Sequence, residues 1–292
     1  MVIVDLYKDF AELTRNYLQL PPTIDHDEVI RTLGWHDLRR LPPQQWSVFY
    51  SQELLTNPFY ISHQSLIDSI RDNAEKGKDL SQHASTSIAK PSAKDLLLAD
   101  WGIYHLHPGH GIKPARLPGF VNRAAELLFV FSDNDNLYFL TIMDHNSWTN
   151  FHLLRIIEEN WPSTIEQYEL KGIVELHHDF TEEEIYELRT KSVNYTFRIN
   201  DKFYIGPGGG VMASGLPFRV LKASDELKYI LDAGSKYFID AEETLRIHFA
   251  RITKSSIKDK ILYLKLTDYN PREGNGTIIE QQSQALFDFQ FR

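Results

Sequence analysis

Five of the twelve histidines in the chain, His105, His107, His110, His145 and His152, fall between positions 105 and 152. The ordinary pKa of imidazole lies close to neutrality, so it can take and return a proton at working pH. The stretch from His105 to Arg123 also holds Lys113 and Arg116 and contains no acid, although the chain carries 40 acids against 31 Lys and Arg, a net charge of −9. A local inversion of charge around imidazoles suits an anionic substrate. It suits in particular the cleavage of RNA without a metal. One neutral imidazole removes the 2′-hydroxyl proton, a guanidinium steadies the charge growing on the phosphate, and a second acid protonates the departing 5′-oxygen. On this reading His107 and His145 are the acid and base, and Arg123 binds the phosphate. His105, Lys113 and Arg116 support the substrate, and neither cofactor nor metal is called for.

The pattern around these residues says what must position them. A short strand over 103–107 directs His105 and His107 the same way, because side chains two apart share a strand face. ELLFVF (126–131) and YFLTIM (138–143), joined by Ser132-Asp-Asn-Asp-Asn136, spell a β-hairpin. Arg123 leads into that hairpin and His145 leads out of it, so both belong to its open end. An amphipathic helix over 147–161 follows, with Trp148, Phe151, Leu154, Ile157 and Trp161 apolar and Pro162 to end it. His152 falls on this helix, and His177 and His178 read as loop residues.

The rest of the chain sets the context. Its 292 residues exceed what one core usually holds, so several domains are expected. Helical periodicity covers 2–18, 62–74, 45–56 and a segment that begins at Asp25-His-Asp-Glu28. SQHASTSIAKPSA (81–93) reads as a linker. Beyond Val174 come a capping box at Thr181-Glu-Glu-Glu184, a hairpin around Asn200-Asp201, a glycine-rich turn at 207–210 and late strands at 261–266 and 286–291. The expected class is α+β: a helical region 1–88, a central domain 89–173 with a small antiparallel sheet and flanking helix, and a β-rich α+β domain 174–292. The absence of cysteine excludes disulfides, thiolate metal sites and a thiol nucleophile, and suits a reducing cytoplasm. The N-terminus lacks the basic start and apolar run of a secretory signal, and no stretch approaches a membrane span.

The segment ADWGIYHLHPGHGIKPARLPGFVNRAAELLFVFSDNDNLYFLTIMDHNSW (99–148) supplies an Asp-x-Gly-Ile-x-His-x-His strand, an Arg before Leu-Leu-Phe, a strand leading to His and a Trp-led helix. This layout resembles the RelE-like toxin ribonucleases of the barnase, EndoU, colicin and RelE grouping. The resemblance covers about a fifth of the chain. It implies RNA cleavage in toxin–antitoxin or phage-defence systems, RNA as substrate and a cognate antitoxin or inhibitor as partner. By position it carries roles onto Arg123, His145 and His107. RelE-like toxins rely on Lys, Arg and Tyr more than on several histidines, which leaves the general base unassigned.

Other readings compete for the same residues. His105-Leu-His107-Pro108 resembles the His-x-His-Pro core of JAMM metalloproteases, but Arg116 and Gly119 stand where that family needs Ser and the Asp ligand. A metal-dependent hydrolase built on His105, His107, His110 and a carboxylate such as Asp144 is a second enzymatic alternative. The glycine run 207–210 lacks the Gly-Lys-Ser/Thr of a phosphate loop, and no Gly-x-Ser-x-Gly elbow exists. A non-enzymatic regulatory or scaffolding partner in a toxin–antitoxin or defence system is the remaining alternative, with the histidines then structural.

Overall fold

The computed structural model describes residues 1–109, 119–173, 175, 178–254 and 260–291, and its class is α+β. In chain order the elements are β1 (Val2–Ile3), α1 (Leu6–Tyr17), α2 (His26–Leu38), β2 (Ser47–Tyr50), α3 (Gln52–Leu55), α4 (Pro58–Ser62), α5 (Gln64–Glu75), α6 (Leu96–Trp101), β3 (Ile103–Leu106), β4 (Leu127–Asp133) and β5 (Asn136–Met143). They continue with α7 (His152–Asn160), α8 (Pro162–Ile165), α9 (Glu182–Thr190), β6 (Thr196–Ile199), β7 (Lys202–Ile205), α10 (Phe218–Asp240), α11 (Glu242–Thr253), β8 (Leu262–Asn270), β9 (Asn275–Glu280) and β10 (Ala285–Gln290). The chain divides into two compact units, one formed by 1–34 with 221–292 and the other by 35–220. The boundaries expected at 88/89 and 173/174 both fall inside the second unit.

In the first unit the sheet order is β1-β8-β9-β10, with β1 parallel to β8 and the other pairs antiparallel. Asp5 caps α1 by accepting from the Lys8 amide at 2.9 Å, and Leu6 and Phe10 then bury one turn apart. They join Val29, Leu231, Phe238, Phe249 and Leu266 in one core. The expected β-rich tail also carries two long helices, α10 and α11, ahead of its three late strands. Gly234 masks α10 in the sequence, since glycine disfavours helix interiors. Its reason is packing: a Cβ there would lie 2.3 Å from the Phe291 ring.

In the second unit the sheet order is β2-β5-β4-β3. The expected antiparallel hairpin forms, Leu127 pairing with Met143 and Asp133 with Asn136, and β3 adds antiparallel to β4. The small antiparallel sheet expected here is extended by β2, which pairs parallel to β5. Residues 47–50 were read as helix, but Ser-Val-Phe-Tyr is β-branched and aromatic and alternates in burial. One face of the sheet, with Ile103, Leu127, Phe129 and Leu140, is covered by Leu153, Leu154, Ile157 and Ile185. The other, with Leu106, Leu128, Val130 and Phe139, is covered by Leu54, Ile67 and Ile70. A core filled from both faces fixes the strand ends rigidly.

Two local expectations also change. The linker 81–93 carries short 3-10 turns at Ser81–His83 and Thr86–Ala89, and His83 in it is buried. The helix expected from 147 begins at His152, and Pro162 starts α8, where its missing amide costs nothing. Among the described residues no helix is long and apolar enough to cross a membrane.

Candidate functional site

Strand register brings the singled-out residues to one end of the second unit's sheet. β3 ends at Leu106 opposite Leu128, β4 begins at Leu127, and β5 ends at Met143 opposite Leu127. His107 follows that end of β3, Arg123 precedes β4, and His145 follows β5. The backbone closes the arrangement, as the Val121 amide donates to Gln82 O at 3.1 Å and the Ala124 amide to Pro108 O at 2.9 Å.

Three imidazoles meet there. The His107 ring lies 6.0 Å from that of His105 and 5.4 Å from that of His145. Trp148 stands edge-on to His105 at 4.7 Å and 6.1 Å from His145. His107 is the middle ring and is 3% exposed, the His105 side chain on one side of it is 11% exposed, and His145 on the other side is exposed. His107 is thus the deepest of the three and His145 the one open to solvent, while His105 lines the recess it shares with Asp95.

His105 has a carboxylate neighbour that sequence reasoning missed. Asp95 Oδ1 caps α6 by accepting from the Leu98 amide at 3.0 Å, and Asp95 Oδ2 faces His105 Nδ1 at 3.5 Å. One carboxylate thus starts the helix and stands beside the ring, whose Nδ1 is buried without a hydrogen-bond partner. Burial pushes the His105 pKa down, Asp95 pulls it back, and the charges of His145 and Arg123 push it down again. The ring is therefore neutral at pH 7, the state a general base needs.

Arg123 donates from Nη2 to the Ala84 carbonyl at 3.0 Å, and its Nε–H is buried without an acceptor. Burial lowers its pKa, yet a guanidinium remains charged at neutral pH. His83, in the segment read as linker, locks this corner. The His107 amide donates to His83 O at 2.6 Å, and His83 Nδ1–H donates to His107 O at 3.1 Å. Burial lowers the pKa of His83 as well.

No family model, curated protein or solved structure matches the chain.

A buried network supports the cluster from behind. Asp100 Oδ2 accepts from Arg189 Nε at 2.7 Å and from the Tyr195 hydroxyl at 2.5 Å. Arg189 Nη1 donates to the Trp148 carbonyl, and its guanidinium stacks on Trp101 at 4.1 Å. Burial and the Asp100 charge raise the Tyr195 pKa, keeping the phenol protonated. The glycine run read as a flexible turn closes on the end of α6, the Gly208 amide donating to Asp100 O at 2.8 Å. A Cβ at Gly208 would lie 2.5 Å from Ala99 O, so close backbone approach dictates glycine.

The site thus gathers His105, His107 and His145, and Arg123 precedes β4 at the same sheet end with its Nη2 on the Ala84 carbonyl. Lys113, Arg116 and His110 lie outside the described residues, as does His177. His152 is exposed at the start of α7, and His178 pairs with Glu184 at 3.0 Å, so both stand apart from the cluster. Among the described residues no group of three or more His, Asp or Glu side chains is arranged to hold a metal ion. The residues missed in the sequence, Asp95, Asp100, Arg189 and His83, share a cause. Each acts through a partner that no local spacing reveals.

Proposed function

We propose that the chain is a metal-independent endoribonuclease of toxin or phage-defence type, acting in the cytoplasm on single-stranded RNA. The observation that carries this is the row of three imidazoles in ring contact, open to solvent at His145, with Arg123 leading into β4 at the same end of the sheet. The neutral Nε2 of His105 takes the 2′-hydroxyl proton, and the 2′-oxygen attacks the adjacent phosphorus. Arg123 offsets the negative charge growing on the phosphate oxygens. His145 gives a proton to the departing 5′-oxygen, which leaves a 2′,3′-cyclic phosphate and a 5′-hydroxyl. His107 packs between the two working rings and positions them, so burial exchanges the roles first expected of His105 and His107.

The resemblance in layout to RelE-like toxins points the same way and brings with it a cognate antitoxin or inhibitor protein as partner. Purified chain incubated with single-stranded RNA is expected to cleave it. His105→Ala, His145→Ala and Arg123→Ala are each expected to lower the rate by roughly 100-fold or more. Cleavage at the wild-type rate by all three folded variants overturns the assignment.

A further inference from the structure

We propose that the cleft beside His105 is a subsite for one nucleotide of single-stranded RNA, its phosphate drawn to Lys94 and Arg189 and its base laid against Trp148 and Tyr186. The inference rests on the RNA-cleaving reading above and names where that substrate is held.

The cleft has a volume of about 290 Å³, near the lower end of ligand-sized cavities. His105 and Asp95 line it together with Lys94, Trp148, Tyr186 and Arg189. A smaller recess of about 20 Å³, room for one water, shares Asp95 and His105 and is lined by Arg39 and Arg40. The described lining of the two recesses therefore holds four cations against one carboxylate, and Asp100 behind Arg189 adds a second. In a chain of net charge −9 that is a concentrated excess of positive charge. The hydrogen bonds of Arg39 go to the carbonyls of Trp35, Ser87, Lys90 and Pro91, and Asp95 is the carboxylate whose charge reaches it.

Arg189 gives the independent sign of a ligand. Its side chain is 5% exposed, Nε and Nη1 are engaged, and Nη2 is buried without an acceptor in a residue that lines the cleft. An unmatched buried guanidinium N–H is costly and fits an anionic oxygen, with Lys94 exposed on the same wall. The aromatic pair supplies the rest. Tyr186 is 62% exposed on α9, more than a packed tyrosine would be, and Trp148 is only half-buried. Aromatic platforms beside cations are how single-stranded nucleic acid is held without sequence readout.

The test is calorimetric titration of full-length His145→Ala protein, which cannot turn substrate over, with adenosine 5′-monophosphate, adenosine and inorganic phosphate. The nucleotide is expected to bind saturably, with adenosine and phosphate alone each about tenfold weaker or worse. Tyr186→Ala is expected to weaken nucleotide binding about fivefold or more, and Lys94→Gln about threefold with a flatter salt dependence. Both side chains are exposed, so these variants keep the fold. Absence of saturable nucleotide binding, adenosine binding as tightly as the nucleotide, or wild-type binding by both variants overturns the subsite. Nucleotide binding lost in both variants, in a wild-type chain that cleaves no RNA, upholds the subsite and removes the reaction. RNA cleavage whose KM ignores Tyr186→Ala and Lys94→Gln does the reverse.

Discussion

Neutralising one half of the buried Asp100–Arg189 pair tests whether the site's supporting network carries real energy. Asp100→Asn keeps the shape and an acceptor for Arg189 Nε but removes the negative charge. The partners are 12% and 5% exposed and 2.7 Å apart. Two unit charges at about 4 Å in an effective dielectric of about 20 interact by about 4 kcal/mol. Leaving a buried charge uncompensated costs about 3–5 kcal/mol. The retained hydrogen bond and the Trp101 face beneath the guanidinium return part of this. A loss of about 3 kcal/mol is the result. For a unit spanning 35–220 that shifts the thermal midpoint down by about 6–12 °C. The assay is thermal and urea unfolding followed by circular dichroism and tryptophan fluorescence. Glu187→Gln serves as control, since it breaks a pair whose side chains are 68% and 66% exposed and is expected to change nothing measurable. The double variant Asp100→Asn/Arg189→Met removes both charges and is expected to recover most of the loss. An Asp100→Asn variant as stable as the Glu187→Gln control refutes the reasoning.

Three further outcomes follow from the same geometry. His83 and His105 have pKa values held below the ordinary imidazole value, so below about pH 6.5 the unfolded chain binds protons that the folded chain refuses. Their stabilisation is complete above that pH and is lost as pH falls through the folded values, with a slope of up to about 1.4 kcal/mol per pH unit for each ring; urea midpoints between pH 5 and 7 measure it, and His83→Gln is expected to flatten the curve. Gly208→Ala drives a Cβ against Ala99 O and is expected to cost about 1–3 kcal/mol and to lower cleavage through displacement of Asp100; unchanged melting contradicts it. Asp95→Ala removes both the α6 cap and the carboxylate beside His105, so a stability loss of about 1 kcal/mol is expected with an acid limb of the rate profile moved to lower pH; a profile identical to wild type separates Asp95 from the chemistry.

The hairpin 127–143 was legible because two continuous apolar runs flank Asp-Asn-Asp, and the structure gives Asn134 the positive φ (51°) that such a turn needs. The Thr181–Glu184 capping box was legible for a similar local reason. The hairpin ends place Arg123 and His145 at one end of the sheet, where the His107 and His145 rings lie 5.4 Å apart. What was hidden depends on distance along the chain. β2 joins the sheet parallel to a strand 89 positions later, and parallel pairing leaves no turn to read. α10 lacks a clean apolar stripe because Tyr229 and Tyr237 are exposed, and Gly234 interrupts it for the sake of Phe291. Asp95, His83 and Arg189 sit in polar surroundings, and only tertiary packing turns them toward His105, His107 and Trp148.

End-group analysis of single-stranded RNA incubated with the purified chain in excess EDTA addresses the central claim most directly. The account predicts 2′,3′-cyclic phosphate and 5′-hydroxyl termini from the wild type and none above background from His145→Ala. Uncut RNA, or cleavage that requires added metal and leaves 5′-phosphate ends, contradicts it.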